Sequence, residues 1–288
     1  MKNRHSRYIT IGDFNIHYSE WGKQESPTII CVHGLTRNGR DFDLLASELS
    51  SDYHVICPDV IGRGLSDWSP EPNRDYHLSV YEAQLVAMLD KLMIEKMIWI
   101  GTSMGGAMGI RLAGTVLKER ITHLILNDIG AGPTAEMLKN PAVSAEGINH
   151  IIEYTANPPS FKSLNGLIGY YKETYAGFGI QSEEEWIAFT EHSVRRTENG
   201  AFSPDYDPNI VTQFNDPYDL FIWDQWDRTV ARTLILRGEH SPILAKATAE
   251  EMAKRGPGCQ LVEWKGLGHA PALNTKDQIE TIKRFIKK

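Results

Sequence analysis

The feature that most constrains the fold is a glycine-rich turn at residues 101–106, which reads Gly-Thr-Ser-Met-Gly-Gly. An apolar run at residues 97–100 precedes it, and apolar residues at helical spacing follow it from Ala107 onward. A serine with a glycine two residues to either side, between a strand and a helix, is typical of a tight turn that exposes a nucleophilic hydroxyl. We therefore predict that Ser103 lies beyond a strand end, at a helix N-terminus whose dipole favours negative charge.

Short apolar runs alternate with helical patterns around this turn. The runs before residue 130 lie at residues 28–32, 53–57, 97–100 and 123–126, and two more lie at residues 233–237 and 260–264. Continuous apolar runs of this length suit strands that are buried on both faces. The alternation of strands and helices predicts a parallel sheet with helices on both faces. Residues 7–21, interrupted by Gly12, predict an antiparallel hairpin at the start of the fold.

The pattern changes between residues 133 and 226, where strand-like runs disappear and aromatic residues become frequent. Turn signals such as Asn157-Pro158-Pro159 recur in this segment. We interpret it as a mostly helical insertion that forms a lid over the carboxyl edge of the sheet. The predicted organisation is a first core part at residues 1–132, a lid at 133–226 and a second core part at 227–288.

Composition limits the classes of partner. The chain has 288 residues, of which 41% are hydrophobic and 23% charged, as in an ordinary globular protein with a sizeable core. A net charge of −7 gives no reason to expect nucleic acid or anionic membranes as partners. The basic start lacks the apolar run of a signal peptide, and no stretch approaches the length of a membrane span. With Cys31, Cys57 and Cys259 expected to be free thiols, the chain is typical of a cytoplasmic protein.

A serine hydroxyl is a weak nucleophile at neutral pH and needs a base. His269 follows the last predicted strand in a glycine-flanked loop and is our candidate for that base. An oxyanion that forms during acyl transfer also needs hydrogen-bond donors. We expect these to be the backbone N–H of Met104, directly after the nucleophile, and that of Leu35, in the loop after the third strand.

Two other polar residues lie in loops at the same sheet edge. We interpret His33 as a structural histidine that bonds nearby backbone rather than as a second base. Arg63, in the loop after the second buried strand, either braces that loop or contacts an anionic substrate, and we favour bracing. The sequence has no phosphate-binding Gly-x-x-x-x-Gly-Lys loop and no Cys/His cluster at metal spacing, so we expect neither a cofactor nor a metal.

In these motifs the chain resembles the α/β-hydrolase superfamily, in the lidded branch that includes esterases, lactonases and carbon–carbon bond hydrolases. The matching segments are His33-Gly34, the Asp-x-x-Gly-x-Gly-x-Ser stretch at residues 59–66, residues 101–105, and Gly268-His269. The resemblance implies a mostly parallel, doubly wound α/β-hydrolase sheet of about eight strands with a helical cap insertion. Because Ser103 stands where dehalogenases of this branch have an aspartate, the resemblance speaks against dehalogenase chemistry.

The third member of the catalytic triad departs from the family pattern. Relatives usually carry an aspartate just after the seventh strand, in the segment that here reads Gly-Glu-His-Ser-Pro at residues 238–242. Two carboxylates are alternatives: Asp128, directly after the sixth strand, and Glu239, in the usual loop. We favour Asp128 because a triad is defined by geometry rather than by sequence position, and because Glu239 stands too early in its loop to face His269.

These residues predict a cofactor-free serine hydrolase that cleaves a small carboxylic ester or lactone through an acyl-enzyme on Ser103. Hydrolysis of an amide or of a carbon–carbon bond beside a ketone by the same site is an alternative, and perhydrolysis is a third. A different class of alternative is a ligand-binding protein that has kept the fold but lost turnover, because fold alone does not fix function. The expected partner is a small-molecule substrate, and the oligomeric state is open.

Overall fold

The computed structural model describes residues 4–139, 141–216 and 219–287, so residues 1–3 and 288 of the predicted core and residues 140 and 217–218 of the predicted lid lie outside the described residues. The strands are β1 (His5–Ile11), β2 (Phe14–Trp21), β3 (Thr28–Val32), β4 (His54–Pro58), β5 (Met97–Thr102), β6 (Ile121–Asn127), β7 (Val194–Arg196), β8 (Phe202–Pro204), β9 (Arg232–Gly238) and β10 (Cys259–Trp264). Eight of them form one sheet, and β7 and β8 form a separate antiparallel pair.

The order of strands in the large sheet is β1-β2-β4-β3-β5-β6-β9-β10. The pairs β1–β2 and β2–β4 are antiparallel, and every other pair in this sheet is parallel. The predicted mostly parallel sheet of about eight strands, opened by a hairpin, is therefore confirmed.

The register of the parallel strands brings several loops to one edge. Val32 of β3 pairs with Gly101 of β5, and Thr102 pairs with Asn127 at the end of β6. Asn127 in turn pairs with Leu236 near the end of β9. Because parallel strands end at the same edge of a sheet, the residues that follow β3, β5, β6 and β9 meet there.

Helices cover both faces of the sheet. They are α1 (Asp43–Leu49), α2 (Pro72–Asp75), α3 (Leu78–Lys91), α4 (Met104–Ala113), α5 (Pro141–Ala156), α6 (Leu164–Thr174), α7 (Glu183–Glu191), α8 (Trp223–Arg228), α9 (Lys246–Lys254) and α10 (Lys276–Ile286). One apolar cluster packs α3, α4 and α9 against one face, and a second packs α1 and α10 against the other. These two layers follow from strands that are apolar on both sides.

The segment between β6 and β9 contains α5 to α8 and the β7–β8 pair. Helices α6 and α7 share an aromatic cluster in which Tyr171, Tyr175 and Trp186 are buried and Phe189 is packed among them. Helix α8 instead packs against α4 of the core, with the Trp226 side chain fully buried. The aromatic residues that marked this segment in the sequence therefore hold α6 and α7 together.

A buried arginine joins this aromatic cluster to the loop after β3. The Arg37 guanidinium lies 3.6 Å from the centroid of the Phe189 ring and donates to Ser193 Oγ at 3.0 Å. It also forms an ion pair of 2.6 Å with Asp41. Burial in an apolar site would disfavour a charged guanidinium, but the carboxylate and the π-faces offset that cost.

The three cysteines are free thiols. Cys31 and Cys57 are buried in neighbouring strands, as predicted, whereas Cys259 begins the edge strand β10 and is partly exposed. Within the described residues, none of the helices combines the length and the apolar character that spanning a lipid bilayer requires.

Candidate active site

The turn after β5 has the tight geometry that its glycines predict. Ser103 has φ 49° and ψ −113°, a conformation that costs energy for a residue with a side chain. A Cβ atom at Gly101 would lie 2.3 Å from the Gly105 carbonyl oxygen, and one at Gly105 would lie 2.1 Å from the Val32 carbonyl oxygen. Larger residues at these two positions would push the turn apart, so the glycines are what allows Ser103 to stand above the strand end.

The structure brings Ser103, His269 and Asp128 together from three different strand ends. The Ser103 hydroxyl lies 3.0 Å from His269 Nε2. On the other side of the imidazole, Nδ1 lies 2.7 Å from Asp128 Oδ2. A carboxylate at Nδ1 fixes the ring tautomer with its proton on Nδ1, which leaves Nε2 free to accept the serine proton.

Asp128 is fully buried and surrounded by donors. Besides His269, the carboxylate accepts hydrogen bonds from the Gly238 N–H at 2.9 Å, from the Ala270 N–H at 3.4 Å and from the Ser241 hydroxyl. Its backbone has φ 58°, a left-handed conformation that aspartate tolerates better than most residues. These contacts hold the carboxylate in one orientation and stabilise its charge.

Ser241 was not among the residues that the sequence singled out. Its oxygen accepts hydrogen bonds from the backbone N–H groups of Ile243 and Leu244, at 3.2 and 3.0 Å. Since both acceptor positions of the hydroxyl are occupied, its own hydrogen is directed to Asp128 Oδ2. Ser241 thus stands in the loop where relatives usually carry the acid, and it orients an acid that comes from the neighbouring strand.

Glu239, the alternative acid, faces away from this site. Its side chain is 41% exposed, and its carboxylate accepts a hydrogen bond from the Gly266 N–H at 2.9 Å. That hydrogen bond lowers the pKa of the Glu239 carboxyl below its usual value. The structure therefore brings Asp128, and not Glu239, to His269.

The two predicted oxyanion donors flank the serine. Leu35 and Met104 both line a cavity that also contains Ser103. Within the described part of the chain, neither of their backbone N–H groups donates a hydrogen bond to another residue. Two unpaired N–H groups beside a nucleophile are able to bind a negatively charged oxygen.

His33 holds the backbone of the Leu35 loop, as expected of a structural histidine. Its Nδ1 lies 2.7 Å from the Gly34 carbonyl oxygen, and its Nε2 accepts a hydrogen bond of 3.0 Å from the Val60 N–H. The ring is therefore neutral with its proton on Nδ1. Complete burial lowers the pKa of His33 to about 4, so the ring keeps this state at neutral pH.

Arg63 braces the same loop from behind. Its guanidinium is fully buried and donates to the carbonyl oxygens of Leu35 and Ile61, each at 2.8 Å, and to Gln213 Oε1 at 3.1 Å. It also lies 4.9 Å from the centroid of the Tyr81 ring. All of these contacts are with the protein interior, so the bracing role is the one that the geometry fits.

Ser103 lines two of the cavities that lie between the described residues. The larger, of about 650 Å³, is lined by His269 and by residues of the segment between β6 and β9, among them His150, Tyr154 and Phe178. The smaller, of about 40 Å³, is lined by Met104 and by Leu35, and Leu35 also borders the larger cavity. In the part of the chain that the structure describes, no group of three or more histidine, cysteine, aspartate or glutamate side chains is placed to hold a metal ion.

Comparison with known proteins assigns the fold to a family. The model of the alpha/beta hydrolase family matches residues 29–281. A 3-hydroxybutyrate-oligomer hydrolase from Cupriavidus necator is 33% identical over 279 residues, which cover 93% of this chain and 91% of the relative.

Solved structures agree with this assignment. A protein from Rickettsia typhi superposes with a TM-score of 0.86 at 33% identity, over 99% of both chains. An alpha/beta hydrolase from Novosphingobium aromaticivorans superposes with a TM-score of 0.84 at 30% identity, over 100% of this chain and 99% of the other. The chain belongs to the alpha/beta hydrolase family and is a hydrolase.

Proposed function

We propose that the chain is a serine hydrolase that cleaves a small carboxylic ester or lactone, with Ser103 as nucleophile, His269 as base and Asp128 as the acid that orients it. The observation that carries this proposal is the continuous hydrogen-bond path from Ser103 Oγ to His269 Nε2, at 3.0 Å, and from His269 Nδ1 to Asp128 Oδ2, at 2.7 Å. This arrangement is able to activate a hydroxyl at neutral pH.

In the first half of the reaction, Ser103 Oγ forms a bond to the carbonyl carbon while its proton moves to His269 Nε2. The carbonyl oxygen gains negative charge, which the N–H groups of Leu35 and Met104 stabilise. The bond from the carbonyl carbon to the alcohol oxygen then breaks, and His269 gives its proton to that oxygen. The products of this half are the free alcohol and an acyl-enzyme.

In the second half, a water molecule attacks the acyl carbon and His269 takes one of its protons. The bond to Ser103 Oγ breaks, and the proton returns from His269 to the serine. Asp128 stabilises the imidazolium in both halves without taking up a proton itself. The proposed reaction uses only groups of this chain and water, so it needs no metal or cofactor.

We assign the segment at residues 133–226 to a lid over the larger cavity. The aromatic and aliphatic side chains that this segment contributes to the cavity would exclude water and select the substrate. The name of the Cupriavidus relative supports an ester substrate, because 3-hydroxybutyrate units join through ester bonds. A short ester of a hydroxy acid is therefore our preferred substrate class.

The experiment is hydrolysis of a chain-length series of p-nitrophenyl esters by the wild type and by Ser103→Ala. We expect the wild type to cleave the short esters and Ser103→Ala to lose about 10⁴-fold or more in kcat. Thermal unfolding of both proteins controls for folding. A folded wild type that cleaves none of these esters, nor a lactone or a 3-hydroxybutyrate dimer, would move amide hydrolysis, carbon–carbon cleavage and ligand binding ahead of the proposal.

A further inference from the structure

The two cavities beside Ser103 differ in the groups that line them. His269 lines the larger cavity, whereas the described residues around the smaller one include Leu35, Ser103 and Met104 but not His269. Leu35 and Ser103 also line the larger cavity, so among the described residues the two cavities differ in that His269 borders only the larger one and Met104 only the smaller one.

This asymmetry gives a direction to a bound ester, if the proposed function holds. His269 must reach the oxygen of the leaving alcohol to protonate it, so the alcohol part has to lie on the side of the larger cavity. The acyl chain is attached to the opposite side of the carbonyl carbon and is directed into the smaller cavity.

The smaller cavity limits the length of that acyl chain. Its volume is about 40 Å³, and most of its walls are apolar. The apolar residues other than Leu35 and Met104 are Leu78, Ile129, Ile151, Phe214, Leu220 and Ile243. This cavity is far smaller than the other cavity, of about 650 Å³, so of the two it is the one that restricts a bound chain to a few carbon atoms.

Gln213 is the polar side chain that lines this cavity in addition to Ser103. It is 5% exposed, and its Oε1 accepts the hydrogen bond from Arg63 Nη2. A guanidinium only donates, so this contact fixes which end of the amide is the oxygen. Its Nε2 donates to none of the residues that the structure describes, and it is therefore available to an acyl group.

We infer that the smaller cavity is the acyl subsite and that Gln213 is a specificity-determining residue for short acyl groups that carry an oxygen near the carbonyl, such as 3-hydroxybutyryl. The Gln213 amide donates to that oxygen, while the apolar walls contact the short carbon chain. The inference rests on the proposed ester hydrolysis and names the acid part of its substrate.

The test measures kcat/KM for methyl 3-hydroxybutanoate and methyl butanoate by titration of the released acid. We expect the wild type to favour the hydroxylated ester by about 3- to 10-fold, the value of one hydrogen bond. In Gln213→Met, which lacks the donor, this preference should disappear, so that the ratio of the two kcat/KM values falls to about 1. A preference that persists in the variant would overturn the assignment of Gln213.

Since Gln213→Met also removes an acceptor from Arg63, a second variant separates the two effects. Gln213→Glu keeps an acceptor for the guanidinium but offers no N–H to the substrate, and it should lose the same preference. If the hydroxylated ester remains favoured in Gln213→Glu, or if the wild type shows no preference, the inference is wrong. These outcomes are distinct from a failure of the proposed function, in which the wild type would cleave neither ester.

Cavity size is tested with an acyl series from methyl butanoate to methyl octanoate. Leu220→Ala enlarges the smaller cavity and should raise the octanoate-to-butanoate ratio of kcat/KM by about 5-fold. The matched control is Met137→Ala in the larger cavity, which should leave that ratio unchanged. A wild type that prefers octanoate, or equal shifts in both variants, would contradict the acyl assignment.

Discussion

Strands β6 and β9 are neighbours in the sheet, and each is followed by a carboxylate that was a candidate for the triad acid. Asp128, after β6, is fully buried and accepts hydrogen bonds from four donors, one of which is His269. Glu239, after β9, is exposed, and its carboxylate accepts a hydrogen bond from the backbone N–H of Gly266. The same residue class at two adjacent strand ends therefore meets opposite environments.

The position of the carboxylate in the chain therefore matters less than whether its oxygen reaches His269 Nδ1. His269 Nδ1 needs a buried carboxylate oxygen at hydrogen-bond distance, and either strand end could supply one. In this chain the loop after β9 supplies a hydroxyl instead, from Ser241, and that hydroxyl bonds the same Oδ2 atom as His269.

The largest effect is expected from removing the buried carboxylate. Asp128→Asn leaves the shape of the side chain intact but favours the wrong tautomer of His269, so kcat on a short ester should fall by about 10⁴-fold. Glu239→Gln is the matched control and should retain wild-type kcat. Steady-state kinetics measures kcat for both variants, and thermal unfolding checks that both are folded. Equal losses of kcat in the two variants would show that Asp128 contributes no more to the reaction than Glu239 does.

A smaller effect is expected from moving the acid to the other strand end. In the exchange Asp128→Ser with Ser241→Asp, the carboxylate at position 241 extends toward the place where Asp128 Oδ2 contacts His269. We expect the exchange to recover about 10- to 100-fold in kcat relative to Asp128→Ser alone. A double variant that folds but is no more active than the single one would show that the loop after β9 cannot aim a carboxylate at the histidine.

The smallest effect concerns the exposed carboxylate and is one of stability. The Gly266 hydrogen bond lowers the pKa of Glu239 in the folded chain, so its stabilisation is present above the ordinary value of 4.5 and is lost as the pH falls through the lower folded value. Glu239→Gln should therefore lower Tm slightly at pH 7, and by less at pH 3. Thermal unfolding at the two pH values measures this, and a larger loss at pH 3 would reverse the sign we assign.

Much of the fold could be predicted because its signals are local. Apolar runs without alternation indicated parallel strands buried on both faces, and the glycines around Ser103 indicated the tight turn. The closeness of Asp128 to the loop after β9 could also be predicted, because residues that follow adjacent parallel strands lie at the same edge of the sheet.

Other parts of the site could not be found in this way. Ser241 bonds an atom 113 residues away, and a serine in a loop carries no sequence signal for such a contact. Gln213 lies in the 3₁₀-helix Pro208–Asn215, in a segment without regular apolar periodicity, and its orientation depends on Arg63, 150 residues earlier. Both contacts depend on how loops pack, which neither apolar periodicity nor turn chemistry determines.

The buried, neutral imidazole of His33, beside the loop that carries Leu35, also limits how well the protein tolerates acid. The pKa of His33 is about 4 in the folded chain, against an ordinary value of 6.5. As the pH falls, the unfolded chain therefore takes up a proton on this ring at a higher pH than the folded chain does. The stability that comes from keeping His33 neutral is fully present above pH 6.5 and is lost as the pH falls towards 4. Over that range the free energy of unfolding falls by about 3 kcal/mol. The same burial that keeps the His33 ring neutral, and so able to bond both Gly34 and Val60 at neutral pH, thus makes the whole molecule easier to unfold in acid.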